Sequence, residues 1–197
     1  MTTAQEQFWR GGFGDDYVRR CGIVNWRARV PFWRHVIEIT KPRSILDVGC
    51  NAGLNLRAIR HIDPMLSLWG CDINQTALQA AADDGHSVVE ASVFDLEGTW
   101  FEKFDLVFSS GMLIHIGPSD IERAMRRIIA ASKRYVLAVE YADEKEVEVS
   151  YRGYSERLWR RPFGAMYEQL GLKMVWQGEA PSEAFDRCHA WLLERPA

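Results

Sequence analysis

The stretch SILDVGCNAGLNLRAI, residues 44–59, ends an apolar run in an acid and then places Asp47-x-Gly49-x-Asn51-x-Gly53 ahead of a helical pattern. A turn of this kind lets a ligand approach the backbone closely. A pyrophosphate would call for G-x-G-x-x-G opening a helix. Here an acid comes first, and Asn51 stands at the middle glycine's place, where it tolerates positive φ better than other non-glycine residues. A carboxylate at Asp47 repels pyrophosphate and suits an ammonium group, directly or through water.

A second acid, Asp72, ends the next apolar run, LSLWGCD, where it can accept both hydroxyls of a ribose. The paired acids favour a sulfonium cofactor, S-adenosylmethionine, over NAD. The competing reading is that Asp47 caps the turn and Asp72 caps the following helix.

These residues need a scaffold. From Ser44 onward, β-branched apolar runs alternate with helical patterns, the βαβ signature of a parallel sheet covered on both faces. Strands are expected at 44–49, 66–72, 87–91, 104–110 and 134–141. Helices fall between them: one from near Gly53 to before Pro64, one over NQTALQAAADD, and one opened by PSDIERAMRRIIAAS. In the last, Ser119 and Glu122 have capping-box spacing, and Ile121, Met125, Ile128 and Ile129 form an apolar stripe. A further helix is expected around 155–170, then LKMVWQG and CHAWLLER as strands. With no helix between them, these should be antiparallel neighbours.

At 197 residues, 47% hydrophobic and 26% charged, the chain has the size of one globular unit with a sizeable core. We expect a cap and leading helix over 1–43 and a Rossmann-like core over 44–197, with a substrate-side insertion around 141–160. A net charge of −3 gives no global pull toward nucleic acid or anionic membrane. No stretch reaches the roughly 18 apolar residues of a membrane span, and the N-terminus lacks the apolar core of a signal peptide, so a cytoplasmic protein is expected. Cys21, Cys50, Cys71 and Cys188 are scattered without a C-x-x-C pair, and His35, His61, His86, His115 and His189 show no ligand spacing. No metal is called for.

At this point the sequence resembles the class I, Rossmann-like S-adenosylmethionine-dependent methyltransferases. More specifically, FWRGGFGDDYVRR, DVGCNAGLNL, GMLIHI, VEYAD and YRGYSERLWRR together resemble the pseudaminic acid biosynthesis-associated methyltransferases. The resemblance implies an α/β fold with a seven-stranded, mostly parallel sheet ending in an antiparallel strand. It implies that Asp47, Gly49, Asn51 and Gly53 meet the methionyl part, with Asp72 on the ribose and Ile73 against adenine. Cys50 and Asn55, in and just after the turn, join this set. Where many relatives carry an acid for the adenine amine, this chain has Ser92, so the Ser92 hydroxyl and Val93 become the candidates. In this fold Ser109, Ser110 and Gly111 line the cofactor cleft. In GGFGDDY, Tyr17 would close as a hinged lid over the cofactor's carboxylate end, with Arg19 or Arg20 near its charge. Trp9, Trp26 and Trp33 read as packing.

His115 can serve as general base for a hydroxyl or amine, or merely hold a hydrogen bond without titrating. Glu140 and Tyr141 end the fifth strand on opposite faces, and one of them should meet the cleft. Tyr151, Arg152 and Tyr154 form an aromatic and cationic group for substrate, with Arg157, Arg160 and Arg161 on the following helix. Arginine forks suit carboxylates or phosphates. Arg157 and Arg160 fit equally well a solvated face paired with DEKEVE. The expected activity is methylation of an oxygen or nitrogen on a small polar, anionic metabolite such as a modified sugar, with S-adenosylhomocysteine as product. The expected partner is that small molecule, with a homodimer or a biosynthetic partner protein as further options. The other class of reading is a cofactor-binding module that assists a partner or catalyses a different reaction such as cyclisation.

Overall fold

The computed structural model describes residues 2–21, 25–100 and 102–196, without the side chain of Cys21. Helices α1 (Ala4–Arg10), α2 (Gly12–Cys21) and α3 (Val30–Thr40) precede the first strand. Then β1 (Ser44–Val48), α4 (Leu54–Ile62), β2 (Ser67–Asp72), α5 (Gln75–Asp83), β3 (Ser87–Glu90), β4 (Phe104–Ser110), α6 (Ile121–Ala131) and β5 (Ser132–Tyr141) alternate as expected. A short pair, β6 (Val147–Glu148) and β7 (Trp159–Arg160), is followed by α7 (Phe163–Gln169), β8 (Lys173–Glu179), α8 (Ser182–Phe185) and β9 (Cys188–Glu194).

The main sheet has seven strands in the order β3-β2-β1-β4-β5-β9-β8. The strands from β3 to β5 are parallel to their neighbours; β9 is antiparallel to both β5 and β8. The strand order reverses between β1 and β4, so the turn after β1 opens at the topological switch point, where α/β sheets hold ligands. Register sets Val48 beside Cys71 on one side and Ser109 on the other. The carboxyl ends of β1, β2 and β4 therefore form one ledge.

Central strands are apolar because both of their faces are covered. On one face Trp33 and Val36 of α3, with Leu56 and Ile59 of α4, pack on Ile45, Leu106 and Phe108. On the other, Met125 and Ile128 of α6 pack with Val107, Leu113 and Val136. Trp33 is fully buried and its indole donates to Asn55 Oδ1 at 3.2 Å, so the leading helix is locked to the start of α4. A buried side chain of that size stabilises by about 3 kcal/mol.

Two local expectations fail. The helix after β4 starts at Ile121 with Asp120 as its N-cap, and no side chain caps it. Glu122 is thus one position too early for a capping box with Ser119; the third helical residue is Arg123, which pairs with Asp120 at 2.8 Å. The segment expected as a helix from 155 is instead non-helical up to Arg161: a bend over 155–157, with Glu156 at φ +54°, leads into strand at Trp159–Arg160. Tyr151 and Tyr154 exchange backbone hydrogen bonds across Arg152 and Gly153, both at positive φ, a tight hairpin turn. Trp159–Arg160 pairs with Val147–Glu148, and helix begins only after Pro162, whose ring fits a helix start but not an interior. Hence Arg157, Arg160 and Arg161 do not lie on a helix.

Candidate functional site

A cleft opens over the carboxyl ledge, between the sheet and α1–α2. Its floor is the glycine turn. Gly49 has φ +77°, and a Cβ there would fall 2.5 Å from Met112 Cγ, so only glycine fits. Asn51 takes φ +48°, the left-handed conformation its amide tolerates. The Gly49 and Cys50 amides donate to the Cys71 carbonyl at 2.8 and 3.0 Å, tying the turn to β2. Asp72 Oδ2 accepts from the Asn51 amide at 2.8 Å and Oδ1 from the Asn74 amide at 2.9 Å. The acid thus fixes the turn from the next strand while still facing the cleft.

Of the residues expected to meet the cofactor, Tyr17, Gly49, Cys50, Asn51, Asn55, Asp72, Ile73, Ser92, Val93, Ser110 and Gly111 line this cleft. Asp47, Gly53 and Ser109 are not among the lining residues. Gly53, at φ +77°, starts α4 and packs on His86. Ser109 is fully buried and donates to Glu140 Oε1 at 2.8 Å.

Asp47 lies beneath the turn with 1% exposure, and neither carboxylate oxygen has a hydrogen-bond partner. Burial pushes its pKa up to about 8; the charge of Arg29 and the nearby Asn55 oppose this, and the charge of Asp72 adds to it. A buried, unsatisfied carboxyl is costly, and a cation at the cleft floor would relieve it.

Arg29, which the sequence reading missed, lines the cleft at this end, its Nη1 2.6 Å from Asn55 Oδ1. It ends a 3₁₀ turn, Trp26–Arg29, capped by Asn25. In a stretch carrying several arginines, only tertiary docking marks this one. Arg19 instead pairs with Asp16 at the surface, and Arg20 stacks over Phe13 and Tyr17 at 5.4 and 5.7 Å.

The cleft's other end is aromatic. His115, on the 3₁₀ turn Leu113–His115, lines it together with Met112, Ile116, Trp9 and Tyr17. Its ring lies 4.5 Å from Trp9 and 5.0 Å from Tyr151, centre to centre. Trp9 therefore belongs to the cleft wall rather than to packing alone, a correction set by how α1 docks. Trp26 and Trp33 pack as expected. His115 Nδ1 sits 2.6 Å from the Arg157 carbonyl oxygen; because a carbonyl only accepts, Nδ1 carries the proton and Nε2 holds a lone pair. Burial lowers the pKa of His115 to about 4, partly offset by the Arg157 carbonyl.

Neither Glu140 nor Tyr141 is among the residues lining the cleft. Glu140 is fully buried, and besides Ser109 it accepts from the amides of Met112, Leu113 and Ile114 at 3.3, 3.1 and 3.4 Å. It shapes the turn that carries His115. The Tyr141 hydroxyl donates to Asp186 at 2.5 Å, away from the cleft. Tyr151 is half-buried behind His115, Arg152 is exposed at the hairpin tip, and Tyr154 packs on Phe8 and Phe13. Arg161 is fully buried, bonded to Glu146 at 2.6 Å and to the Leu113 carbonyl at 3.3 Å, and Arg160 pairs with Asp143. The pairing with DEKEVE is present for these two, on extended chain.

The α1–α2 segment lies against the cleft and is fastened to the ends of β2 and β3. Asn74 Nδ2 donates to the Trp9 carbonyl at 3.1 Å and to Asp15 at 3.0 Å, while Arg10 bonds Glu90 at 2.7 Å. Among the described residues no group of His, Cys, Asp and Glu is arranged to hold a metal ion, and no helix is long and apolar enough to cross a membrane.

A seven-stranded sheet of this order, with a cleft over its switch point, is a Rossmann-like fold shared with methyltransferases of known structure. The family model described as a methyltransferase domain matches residues 45–134, the span from β1 to the start of β5. No curated protein matches the sequence. Among solved structures, the chain is similar to 1,6-didemethyltoxoflavin-N1-methyltransferase of Burkholderia thailandensis with bound 1,6-didemethyltoxoflavin and S-adenosylhomocysteine, at TM-score 0.76 and 14% identity, covering 99% of this chain and 92% of that one. It is similar to magnesium protoporphyrin IX methyltransferase of Synechocystis with bound S-adenosylmethionine, at TM-score 0.72 and 12% identity, covering 98% of each chain. A third is the sugar N-methyltransferase of Streptoalloteichus, at TM-score 0.69 and 15% identity, covering 92% of each. At these identities the likeness establishes the fold.

Proposed function

We propose that this chain is an S-adenosylmethionine-dependent methyltransferase acting on an oxygen or nitrogen of a small polar metabolite that carries an anionic group. The observation that carries the reading is the pair of acids on adjacent strand ends, Asp47 unsatisfied under the glycine turn and Asp72 facing the cleft beside it. A cationic methionyl end above Asp47 and a ribose on Asp72 satisfy both. Arg29, beside Asn55, is placed to meet the methionyl carboxylate.

The acceptor then occupies the aromatic end. Methyl transfer is an in-line displacement at a cationic carbon, so the protein chiefly aligns the reactants and excludes water. The lid supplies the exclusion. His115 Nε2, a neutral base, takes the proton of the nucleophile as the methyl arrives. Arg20 stacks over Phe13 and Tyr17 and Arg157 over Phe8, behind the cleft lining and not part of it, and Nε and Nη2 of Arg20 and Nε of Arg157 have no hydrogen-bond partner. An anionic group on the acceptor would satisfy them. The resemblance to the pseudaminic acid biosynthesis-associated methyltransferases points the same way, to an acidic sugar. Three buried free thiols, Cys50, Cys71 and Cys188, fit work in a reducing compartment such as the cytoplasm.

The test is formation of S-adenosylhomocysteine when the protein and S-adenosylmethionine meet a panel of acidic sugars, sugar nucleotides and hydroxy acids, each paired with its neutral counterpart. Product from the anionic members alone is expected. Product from neutral members alone removes the anionic requirement; cofactor binding with no transfer across the panel favours a non-methylating role.

A further inference from the structure

The cleft wall holds a carboxylate that neither the glycine turn nor the sheet supplies. Glu6 of α1 has 8% exposure and lines the cleft together with Ala91, Ser92, Val93 and Phe94, at the carboxyl end of β3. Its Oε2 accepts from the Thr3 amide at 2.7 Å while Thr3 Oγ1 accepts from the Glu6 amide at 3.1 Å, a capping box. Glutamates in that motif serve a helix end and need no burial. This one is buried in a ligand cleft.

The proposed reading gives its surroundings a meaning, and the inference rests on that reading. The cofactor runs along the ledge from Asp47 on β1 to Asp72 on β2, so its base reaches the β3 end, between Ile73 and Val93. A purine with an exocyclic amine needs an acceptor at its edge. Among the described lining residues, Glu6 is the acid at that end, since Asp72 is committed to the ribose side. A carboxylate offers about four lone-pair positions; the Thr3 amide and the Ser92 hydroxyl use part of that capacity.

We propose that Glu6 reads the exocyclic amine of the cofactor's purine, so that base recognition comes from the lid. Burial pushes the Glu6 carboxyl up, but the hydrogen bonds of Thr3 and Ser92 and the charge of Arg10 outweigh it and hold the group below its ordinary value, ionised and ready to accept. Ser92 is then the hydroxyl that orients Glu6, and cofactor binding and lid closure become one event: α1 is fastened to the β2 and β3 ends by Asn74 and Arg10 with the base beneath it.

The experiment is calorimetric titration of the whole chain with S-adenosylhomocysteine and with its deaminated analogue S-inosylhomocysteine, which presents an oxygen where the amine was. Wild type should prefer the adenosyl ligand by about tenfold or more, the scale of one charge-assisted hydrogen bond. Glu6→Gln keeps an acceptor for the Thr3 amide, and so keeps the helix cap, but its amide can also donate to the analogue's oxygen. It should bind S-adenosylhomocysteine about tenfold more weakly and lose the preference, with an unchanged melting temperature. Equal weakening for both ligands would make Glu6 a purely structural lid residue and overturn the inference. An unchanged preference would overturn it as well. Binding of neither ligand by wild type would instead defeat the methyltransferase reading itself, and the two failures are distinguishable.

Discussion

His115 Nδ1 lies 2.6 Å from the carbonyl oxygen of Arg157, so the backbone of the insertion after β5 fixes the tautomer of the one imidazole lining the cleft among the described residues. Arg161 bolts the same insertion to the Leu113 carbonyl, two residues before that histidine. The histidine, its orientation and its enclosure are thus one assembly. His115→Ala should lower turnover by roughly 10² to 10⁴ while leaving S-adenosylhomocysteine affinity unchanged. Near-normal turnover would remove the base role.

The pH dependence of that assembly has a definite sign. Burial depresses the pKa of His115 from 6.5 to about 4, so it stays neutral until pH falls through about 4. The acid limb of turnover should lie near that value and not near 6.5. The unfolded chain takes up the proton first, so His115 also lowers stability as pH falls from 6.5 toward 4. Turnover measured with the identified acceptor and melting curves against pH check the two effects separately.

Asp47 is shifted in the opposite direction, upward, yet its effect on binding has the same sign. With its carboxyl raised to about 8 in the free protein, much of it is protonated at neutral pH, and pairing with the cofactor's ammonium requires the proton to leave. Cofactor affinity should rise with pH up to about 8, by at most about tenfold per pH unit. The calorimetric heat at neutral pH should vary with the buffer's ionisation enthalpy. Asp47→Asn should abolish both effects; a proton-independent heat in the wild type would contradict the assignment.

How much of this was legible can be followed residue by residue. Asp47, Gly49, Asn51 and Asp72 are legible because a strand, a turn and the next strand end are local patterns, and Asn51 does take the left-handed conformation. The terminal antiparallel pair is legible because the gap between LKMVWQG and CHAWLLER is too short for a parallel crossover, although it does hold the four-residue α8, which the sequence did not suggest. Glu6, Trp9 and Arg29 are not, since each reaches the cleft only through the docking of a helix or 3₁₀ turn from before β1. The stretch from 155 to 161 reads as the start of a helix in the sequence but is not helical. Tertiary pairing of β6 with β7, and the burial of Arg161 against Glu146, decided it.

Asp72 fixes the turn and faces the cleft. Asp72→Ala should weaken S-adenosylhomocysteine binding by about 1 to 3 kcal/mol through lost charge-assisted hydrogen bonds. It should also lower the melting temperature, because the Asn51 and Asn74 amides lose their acceptor. Calorimetry on the variant checks both; unchanged affinity would remove the ribose contact.

Glu140 separates support from chemistry. Glu140→Ala leaves Ser109 and the amides of residues 112–114 without an acceptor and should cost about 3 kcal/mol or more of stability, read by denaturant unfolding. Glu140→Gln, which keeps an acceptor oxygen, should retain most turnover. A large loss of turnover in a folded Glu140→Gln protein would restore a catalytic role to the acid.

The lid rests on a glycine. A Cβ at residue 14 would fall 1.9 Å from the Trp9 carbonyl oxygen and 2.7 Å from Asn74 Nδ2, the two atoms of the lid latch. Gly14→Ala should loosen α1 and α2 from the β2 end at a cost of about 1 to 3 kcal/mol. Amide exchange of residues 4–20 should quicken while the central strands remain protected.

The most direct measurement is titration of the purified protein with S-adenosylmethionine, S-adenosylhomocysteine and NAD. Micromolar binding of the two adenosyl ligands and none of NAD is the expected result, because Asp47 can ionise to pair with a cation while the turn lacks the G-x-G-x-x-G that a pyrophosphate needs. Binding of NAD, or of neither adenosyl ligand, would contradict the account at its centre.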